Sequence, residues 1–243
     1  MLEQRVALVT GASTGIGRAI SERLLREGYM LGFATHSEDK KTAAELGGLG
    51  KVHAVWGDLA DPEVPGRLVR EVAEHLGRLD VLVNNAGLST AKPALELTVE
   101  DFDKTFDVDV RAAFLASQEA ARRMTDGGVI VNITSVHEHV PRPGFAIYAP
   151  AKAALGMLTR SLALELAPKI RVVAVAPGAI ATERNEEADD LRPEIPLGRP
   201  GTPEEVAAAV AWLVSNEASY VTGASFLIDG GLAQQVVERP AAP

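Results

Sequence analysis

The chain has 243 residues, 47% hydrophobic and 23% charged, which is material for a globular core of one large domain or two small ones. Its formal net charge of −9 leaves no electrostatic footprint for nucleic acid and works against binding to an anionic membrane surface. The absence of cysteine excludes disulfides, thiolate metal sites and cysteine nucleophiles. Of the histidines only His137 and His139 are close, and their i,i+2 spacing without further ligands predicts no metal site. No apolar run reaches the ~20 residues of a membrane span. Met1–Arg5 leads straight into a strand-like run rather than a signal peptide, so the cytoplasm is the expected compartment.

The first strand-like run, Val6–Thr10, enters Gly11-Ala12-Ser13-Thr14-Gly15-Ile16-Gly17, and Arg18–Glu27 then reads as a helix. Glycine suits this turn for two reasons. The chain must reverse tightly, and its backbone must approach a pyrophosphate with no Cβ in the way. The free N–H groups of the helix N-terminus then face the negative charge. A purely structural turn would use the same residues; the position between first strand and first helix favours a dinucleotide.

Gly28 stops that helix, and Tyr29–Ala34 is the second strand, followed by Thr35, His36 and Ser37. Val52–Trp56 is the third strand. Asp61-Pro62 predicts an N-cap and a first helical position, and Gly77 the stop of that helix. The fourth strand is Val81–Val83, and a long helix is expected over Thr98–Met124. Val129–Thr134 is the fifth strand, with Ser135 just past its end, and Ala146–Ala167 the next helix. Arg171–Val175 and Ser225–Ile228 are the last strands, separated by a capping box at Thr202-Pro203-Glu204-Glu205. Ala179–Pro200 lacks periodicity and holds three prolines, so it reads as a mobile lid or a solvated excursion. The tail after Gln235 is expected to fray. The strands are near-continuous apolar runs, the mark of a parallel sheet covered on both faces. The expected architecture is one domain over residues 1–243, a doubly wound α/β fold of about seven strands that binds ligands beyond the strands' carboxyl ends.

Tyr148 and Lys152 form an i,i+4 pair on one helix face, and Ser135 precedes them at the ligand-binding edge of the sheet. A tyrosine with an unperturbed pKa of about 10 is a poor base. A nearby ammonium favours its phenolate, and a serine hydroxyl can hold a substrate oxygen. That is an acid/base set for interconverting an alcohol and a carbonyl, with the hydride supplied by a cofactor. A Tyr-x-x-x-Lys pair alone is more often a surface feature, so the reading depends on Ser135 and the glycine-rich turn.

The spacing Thr10-Gly11-x-x-x-Gly15-x-Gly17 resembles that of the short-chain dehydrogenase/reductase family. So do Asn84-Asn85-Ala86-Gly87, Ser135 before Tyr148-x-x-x-Lys152, Pro177-Gly178 and Asp229-Gly230-Gly231, in this order along nearly the whole chain. The resemblance implies a Rossmann-like, nicotinamide-dependent oxidoreductase acting on CH–OH groups. Tyr148 would be the acid/base, Ser135 would orient the substrate oxygen, and Lys152 would also bind the nicotinamide ribose. Cofactor contacts would come from Gly11, Ser13, Thr14, Gly15, Ile16 and Gly17 in the turn. Thr35, His36 and Ser37 would follow the second strand, Asp58 and Leu59 the third, and Asn85, Ala86 and Gly87 the fourth. Tyr148, Lys152, Pro177, Gly178, Ile180 and Thr182 would complete the set. The family's fourth catalytic residue is an asparagine in Asn-x-x-x-x-Phe, part of a water-linked proton relay behind the lysine. Here Asp109 takes that place, five residues before Phe114, and would either accept from the water or pair with Lys152.

NAD-preferring members carry an acidic residue where this chain has Thr35. Thr35, His36 and Ser37 can all hydrogen-bond a 2′-phosphate, with Lys40 and Lys41 close by, so NADP is favoured over NAD, although Thr14 stands where NADP-preferring relatives often have arginine. Ser135-Val136-His137-Glu138 with Pro141, and Pro177-Gly178-Ala179-Ile180, resemble the bacterial glucose 1-dehydrogenase branch. The general pattern also resembles 3-oxoacyl-(acyl-carrier-protein) reductase. An acidic carrier protein calls for a basic patch, and only Arg184, Arg192 and Arg199 are scattered near the lid, which favours a small sugar, polyol or ketone. His137 and Glu138 either bond substrate hydroxyls or merely line the loop. The resemblance also implies a homotetramer through the long central helices and the C-terminal segment. Two other classes stay open: a non-catalytic nicotinamide-binding sensor or scaffold, which only Asp109 supports, and a structural protein in which the motifs are accidental.

Overall fold

The computed structural model of the chain describes residues 4–183 and 186–234. Arg184 of the expected lid and the expected tail from Gln235 lie outside the described residues. The strands are β1 (Val6–Thr10), β2 (Met30–Thr35), β3 (Val52–Trp56), β4 (Val81–Asn84), β5 (Gly128–Ile133), β6 (Ile170–Pro177) and β7 (Ser225–Ile228). The helices are α1 (Gly15–Arg26), α2 (Lys40–Gly47), α3 (Val64–Leu76), α4 (Val99–Phe106), α5 (Ala112–Arg123), α6 (Tyr148–Leu166) and α7 (Pro203–Val214).

The strands form one parallel sheet in the order β3-β2-β1-β4-β5-β6-β7. Alternation along each strand feeds two cores. In β1, Ala7 and Val9 join the core that includes Ile20 and Leu24 of α1 and Val206 and Val210 of α7. Val6 and Leu8 join the other, with Leu68 and Val72 of α3 and Ala116 and Ala120 of α5. The strand order reverses between β1 and β4, which opens a crevice above their carboxyl ends. Among the described residues, no helix is long and apolar enough to cross a membrane.

β2, β4, β5 and β6 differ from expectation by one or two residues at an end and α1 begins three residues early; the departures that matter for the site are in the later helices. Asp61-Pro62 does not open a helix: the Asp61 carboxylate accepts from the Glu63 amide at 2.9 Å, so this stretch is a turn and α3 starts at Val64 with Pro65 in its first turn. The expected helix over Thr98–Met124 exists in two parts. Between α4 and α5, Asp107–Arg111 forms a widened π turn. The helix expected from Ala146 begins at Tyr148, placing that side chain at the positive end of the α6 dipole. The capping box at Thr202 is present; Arg199 and then the Thr202 amide bond Glu205 and hold its carboxyl down at about 2.

The described residues of Ala179–Pro200 are anchored at their base. Ala181 donates to Gly201 O and Gly201 to Ala179 O, both at 2.9 Å. Ala188 and Ile195 are buried, and Leu197 donates to Gly230 O at 3.2 Å.

Candidate active site

The turn after β1 is bound to the loop after β4. Thr10 Oγ1 accepts from the Asn85 and Ala86 amides at 3.0 Å each, and Asn85 Nδ2 donates to Thr10 O at 2.8 Å and Gly11 O at 3.2 Å. Gly17 sits inside this mesh. A Cβ there would lie 2.3 Å from Gly11 O and 2.4 Å from Asn85 Nδ2, so no other residue fits without moving backbone. The N-terminus of α1, at Gly15, faces the crevice.

Three cavities with shared walls run along that crevice. The first, about 490 Å³, is lined by Ser13, Thr35, His36, Asp58 and Leu59. The second, about 240 Å³, is lined by Gly11, Thr14, Gly15, Ile16 and Gly17, and shares Gly11, Ala86 and Gly87 with the first. The third, about 210 Å³, holds Ser135, Tyr148, Lys152, Pro177, Gly178, Ile180 and Thr182, and shares Asn85 and Gly87 with the second. A cradle of bare backbone at a helix N-terminus, between a deep side cavity and a polar end cavity, fits a dinucleotide laid across the strand ends. Among the residues expected here, Ser37 does not line the cavities; its carbonyl accepts the Thr35 hydroxyl at 2.7 Å, so that proton is committed to the loop. Lys40 stands 3.5 Å from Glu38, and His36 Nδ1 is 3.9 Å from Asp58.

Ser135 caps the short turn Val136–Glu138. Its Oγ accepts the His137 amide at 3.2 Å, which leaves the hydroxyl proton to donate into the end cavity. Lys152 is 4% exposed, donates to Ile133 O at 3.3 Å, and holds its ammonium 5.5 Å from the Tyr148 ring centroid. Asp109 is 1% exposed, with Oδ2 at 3.0 Å from Lys152 Nζ. Burial acts against the lysine charge, but Asp109 and then Tyr148 outweigh it and raise the Lys152 pKa above its ordinary value.

His137 stacks on Phe145 with ring centroids 5.0 Å apart and meets Tyr148 edge-on at 6.1 Å. Burial and then Arg142 lower its pKa against the opposing pull of the Val140 carbonyl, 3.0 Å from Nδ1, and the ring forms an aromatic wall beside Tyr148. Glu138 corrects the expectation of a substrate contact. Its carboxylate accepts from Ser225 Oγ at 2.8 Å and fills the space at Gly156, where a Cβ would stand 2.2 Å from Oε1. The side chain points at α6 and β7, away from the cavity.

Sequence reasoning missed several residues. Leu88 and Ser89 line the end cavity, and Lys104 of α4 lines the first, reached only because α4 folds back over the crevice. Asn84 Nδ2 donates to Asn132 Oδ1 at 2.8 Å and Ser117 Oγ at 3.1 Å, and Asn132 Nδ2 to Thr159 Oγ1 at 2.9 Å. This buried network seats α6, and with it Tyr148 and Lys152, against β5. The signal was present: an asparagine inside the apolar run Val129–Thr134 must find partners.

A family model described as Enoyl-(Acyl carrier protein) reductase matches residues 11–233. The chain is 45% identical to an uncharacterized oxidoreductase, YohF, of Escherichia coli, over 93% of this chain and 95% of that protein. It is 41% identical to Glucose 1-dehydrogenase 2 of Bacillus subtilis, over 95% of each. A short chain dehydrogenase from Burkholderia cenocepacia, solved in complex with NADP, matches with TM-score 0.90 at 39% identity, covering 96% of this chain and 98% of that one. Acetoin dehydrogenase YohF from Salmonella typhimurium matches with TM-score 0.89 at 40% identity, covering 99% of each.

Proposed function

The chain belongs to the short-chain dehydrogenase/reductase family, and on that premise we propose that it is an NADP-dependent oxidoreductase interconverting a small alcohol and its carbonyl compound. The observation that carries this reading is the end cavity, where Ser135, Tyr148 and Lys152 meet at the far end of the glycine-lined crevice. When bound, the nicotinamide supplies or takes the hydride. Gly11, Gly15 and Gly17 leave room for the pyrophosphate, and Asn85 holds that turn in shape. Ser135 donates to the substrate oxygen. Tyr148 takes the hydroxyl proton in oxidation and returns it in reduction, helped by the ammonium of Lys152 and the N-terminus of α6.

NADP is favoured because Thr35 replaces a carboxylate at the end of β2, while His36 and Lys104 line the same cavity. The NADP bound by the Burkholderia cenocepacia relative supports this choice. A small sugar, polyol or hydroxyketone is favoured by the size of the end cavity, about 210 Å³, and by its mixed wall of Ser89, Thr182, Leu88 and Ile180. The likeness to Glucose 1-dehydrogenase 2 and to acetoin dehydrogenase agrees. The carrier-protein reductase reading draws on the description of the matching family model, but the net charge of −9 opposes an acidic partner. A panel of glucose, vicinal diols, hydroxyketones, acetoacetyl thioesters and steroids with both reduced and oxidised cofactors tests these choices. The expected result is the highest kcat/KM on a small polyol or hydroxyketone, with NADP(H) preferred by roughly tenfold or more. A comparable preference for NADH overturns the cofactor choice; best turnover on a thioester or steroid overturns the substrate class. Reduced-cofactor binding without turnover on any of them would favour the sensor reading.

We also propose that the chain acts as one catalytic domain, with Ala179–Pro200 as its substrate loop, and assembles as a homotetramer. Exposed Val99 and Phe102 on α4, Phe114 on α5 and Met157 and Leu164 on α6 support the assembly, since such faces seek cover. Sedimentation is expected to give the mass of four chains; a monomer overturns it.

A further inference from the structure

Two hydrogen-bond donors converge on the Asp109 side chain from separate parts of the fold. The Leu88 amide, in the loop after β4, donates to Oδ1 at 2.7 Å. The Lys152 ammonium, on α6, stands 3.0 Å from Oδ2 as an ion contact. An asparagine has one acceptor oxygen and would turn its NH2 toward one of these donors. A carboxylate accepts from both. Gly87 closes the pocket: a Cβ there would lie 3.0 Å from Lys152 Nζ and 3.2 Å from Asp109 Oδ2.

We propose that Asp109 is a positioning residue that ties the Leu88 loop to Lys152 and offsets the ammonium's charge at Tyr148, so setting the pH range over which Tyr148 exchanges its proton. The inference rests on the oxidoreductase reading above. Around Lys152, among the described residues, the titratable neighbours are Asp109 from the turn between α4 and α5 and Tyr148 from α6 itself, and β5 presents the Ile133 carbonyl; Tyr148 is also faced by His137, edge-on at 6.1 Å, which both Asp109 variants leave in place. The lysine and Asp109 together are nearly neutral, so their pull on a phenolate is weaker than that of a lone ammonium. The widened turn Asp107–Arg111 carries the placement, with Asp109 on the same buried side as Thr105, four residues earlier in α4.

The test has two arms. In the first, Asp109→Asn is compared with the parent in alcohol oxidation across pH. Loss of the carboxylate leaves the ammonium uncompensated, so the acid limb of kcat is expected to move down by about one pH unit, with kcat itself lowered by roughly tenfold or more as the Leu88 loop loosens. An unmoved limb, or one moved to higher pH, overturns the inference. No turnover in the parent would instead sink the oxidoreductase reading. The second arm needs no activity and holds if the single variant folds poorly. Thermal unfolding is measured for Lys152→Met, Asp109→Asn and the double variant. Lys152→Met strands a buried carboxylate, so it is expected to lower Tm strongly, and adding Asp109→Asn is expected to raise Tm back toward the parent. Additive losses overturn the coupling.

Discussion

Tyr148→Phe is expected to lower kcat by about a thousandfold, roughly 4 kcal/mol of transition-state stabilisation, while leaving NADPH affinity close to that of the parent. The phenyl ring keeps the packing with Phe145, whose centroid is 5.6 Å away, and with His137 at 6.1 Å. What disappears is the phenolic hydroxyl that exchanges a proton with the substrate oxygen beside Ser135. Steady-state kinetics in both directions, with a fluorescence titration of the reduced cofactor, separates the two quantities. A variant as active as the parent would remove Tyr148 from the chemistry and leave the end cavity without an acid/base.

Gly17→Ala is expected to weaken cofactor binding by about a hundredfold, near 3 kcal/mol, and to lower Tm as well. The new methyl would stand 2.3 Å from a backbone carbonyl and 2.4 Å from the side-chain amide of Asn85, which is held by Thr10 O and Gly11 O. To make room, the Gly11 peptide must move or Asn85 must release Thr10 and Gly11, and either change deforms the cradle that faces the pyrophosphate. Overpacking of this kind costs about 1–3 kcal/mol even where no ligand is concerned. Gly47→Ala, in α2 with nothing within 4 Å of the added methyl, is the control and is expected to be neutral or slightly stabilising. Parent-like NADPH affinity in Gly17→Ala would show that the turn does not form the pyrophosphate site.

Much of this was legible before any coordinates. β1, β3 and β7 have the limits their sequence runs predicted; β1 is buried at every residue, whereas β3 and β7 are the partly exposed edge strands, marked by their β-branched and aromatic residues. The capping box at Thr202 was readable because its partners lie three residues apart. Asp61-Pro62 misled for the same local reason: an aspartate before a proline stabilises a turn as readily as a helix start, and here its carboxylate went to Glu63. Glu138 misled differently. Its place five residues after the end of β5 suggested the cavity, but the absence of a side chain at Gly156 opened a slot on the other side, and the carboxylate filled it to reach Ser225, 87 residues away.

By itself the sequence determined most of the order of strands and helices and the glycine turn, since each depends on periodicity or on contacts within a few positions, while the resemblance supplied most of the residues expected at the carboxyl edge of the sheet. Only the tertiary structure decided what those residues do to one another. Lys152 and Asp109 belong to different elements, and their contact at 3.0 Å exists because α6 and the widened turn before α5 both pack against the loop after β4. Spacing along the chain says nothing about such a meeting, because burial and pairing are set by the fold's long-range packing.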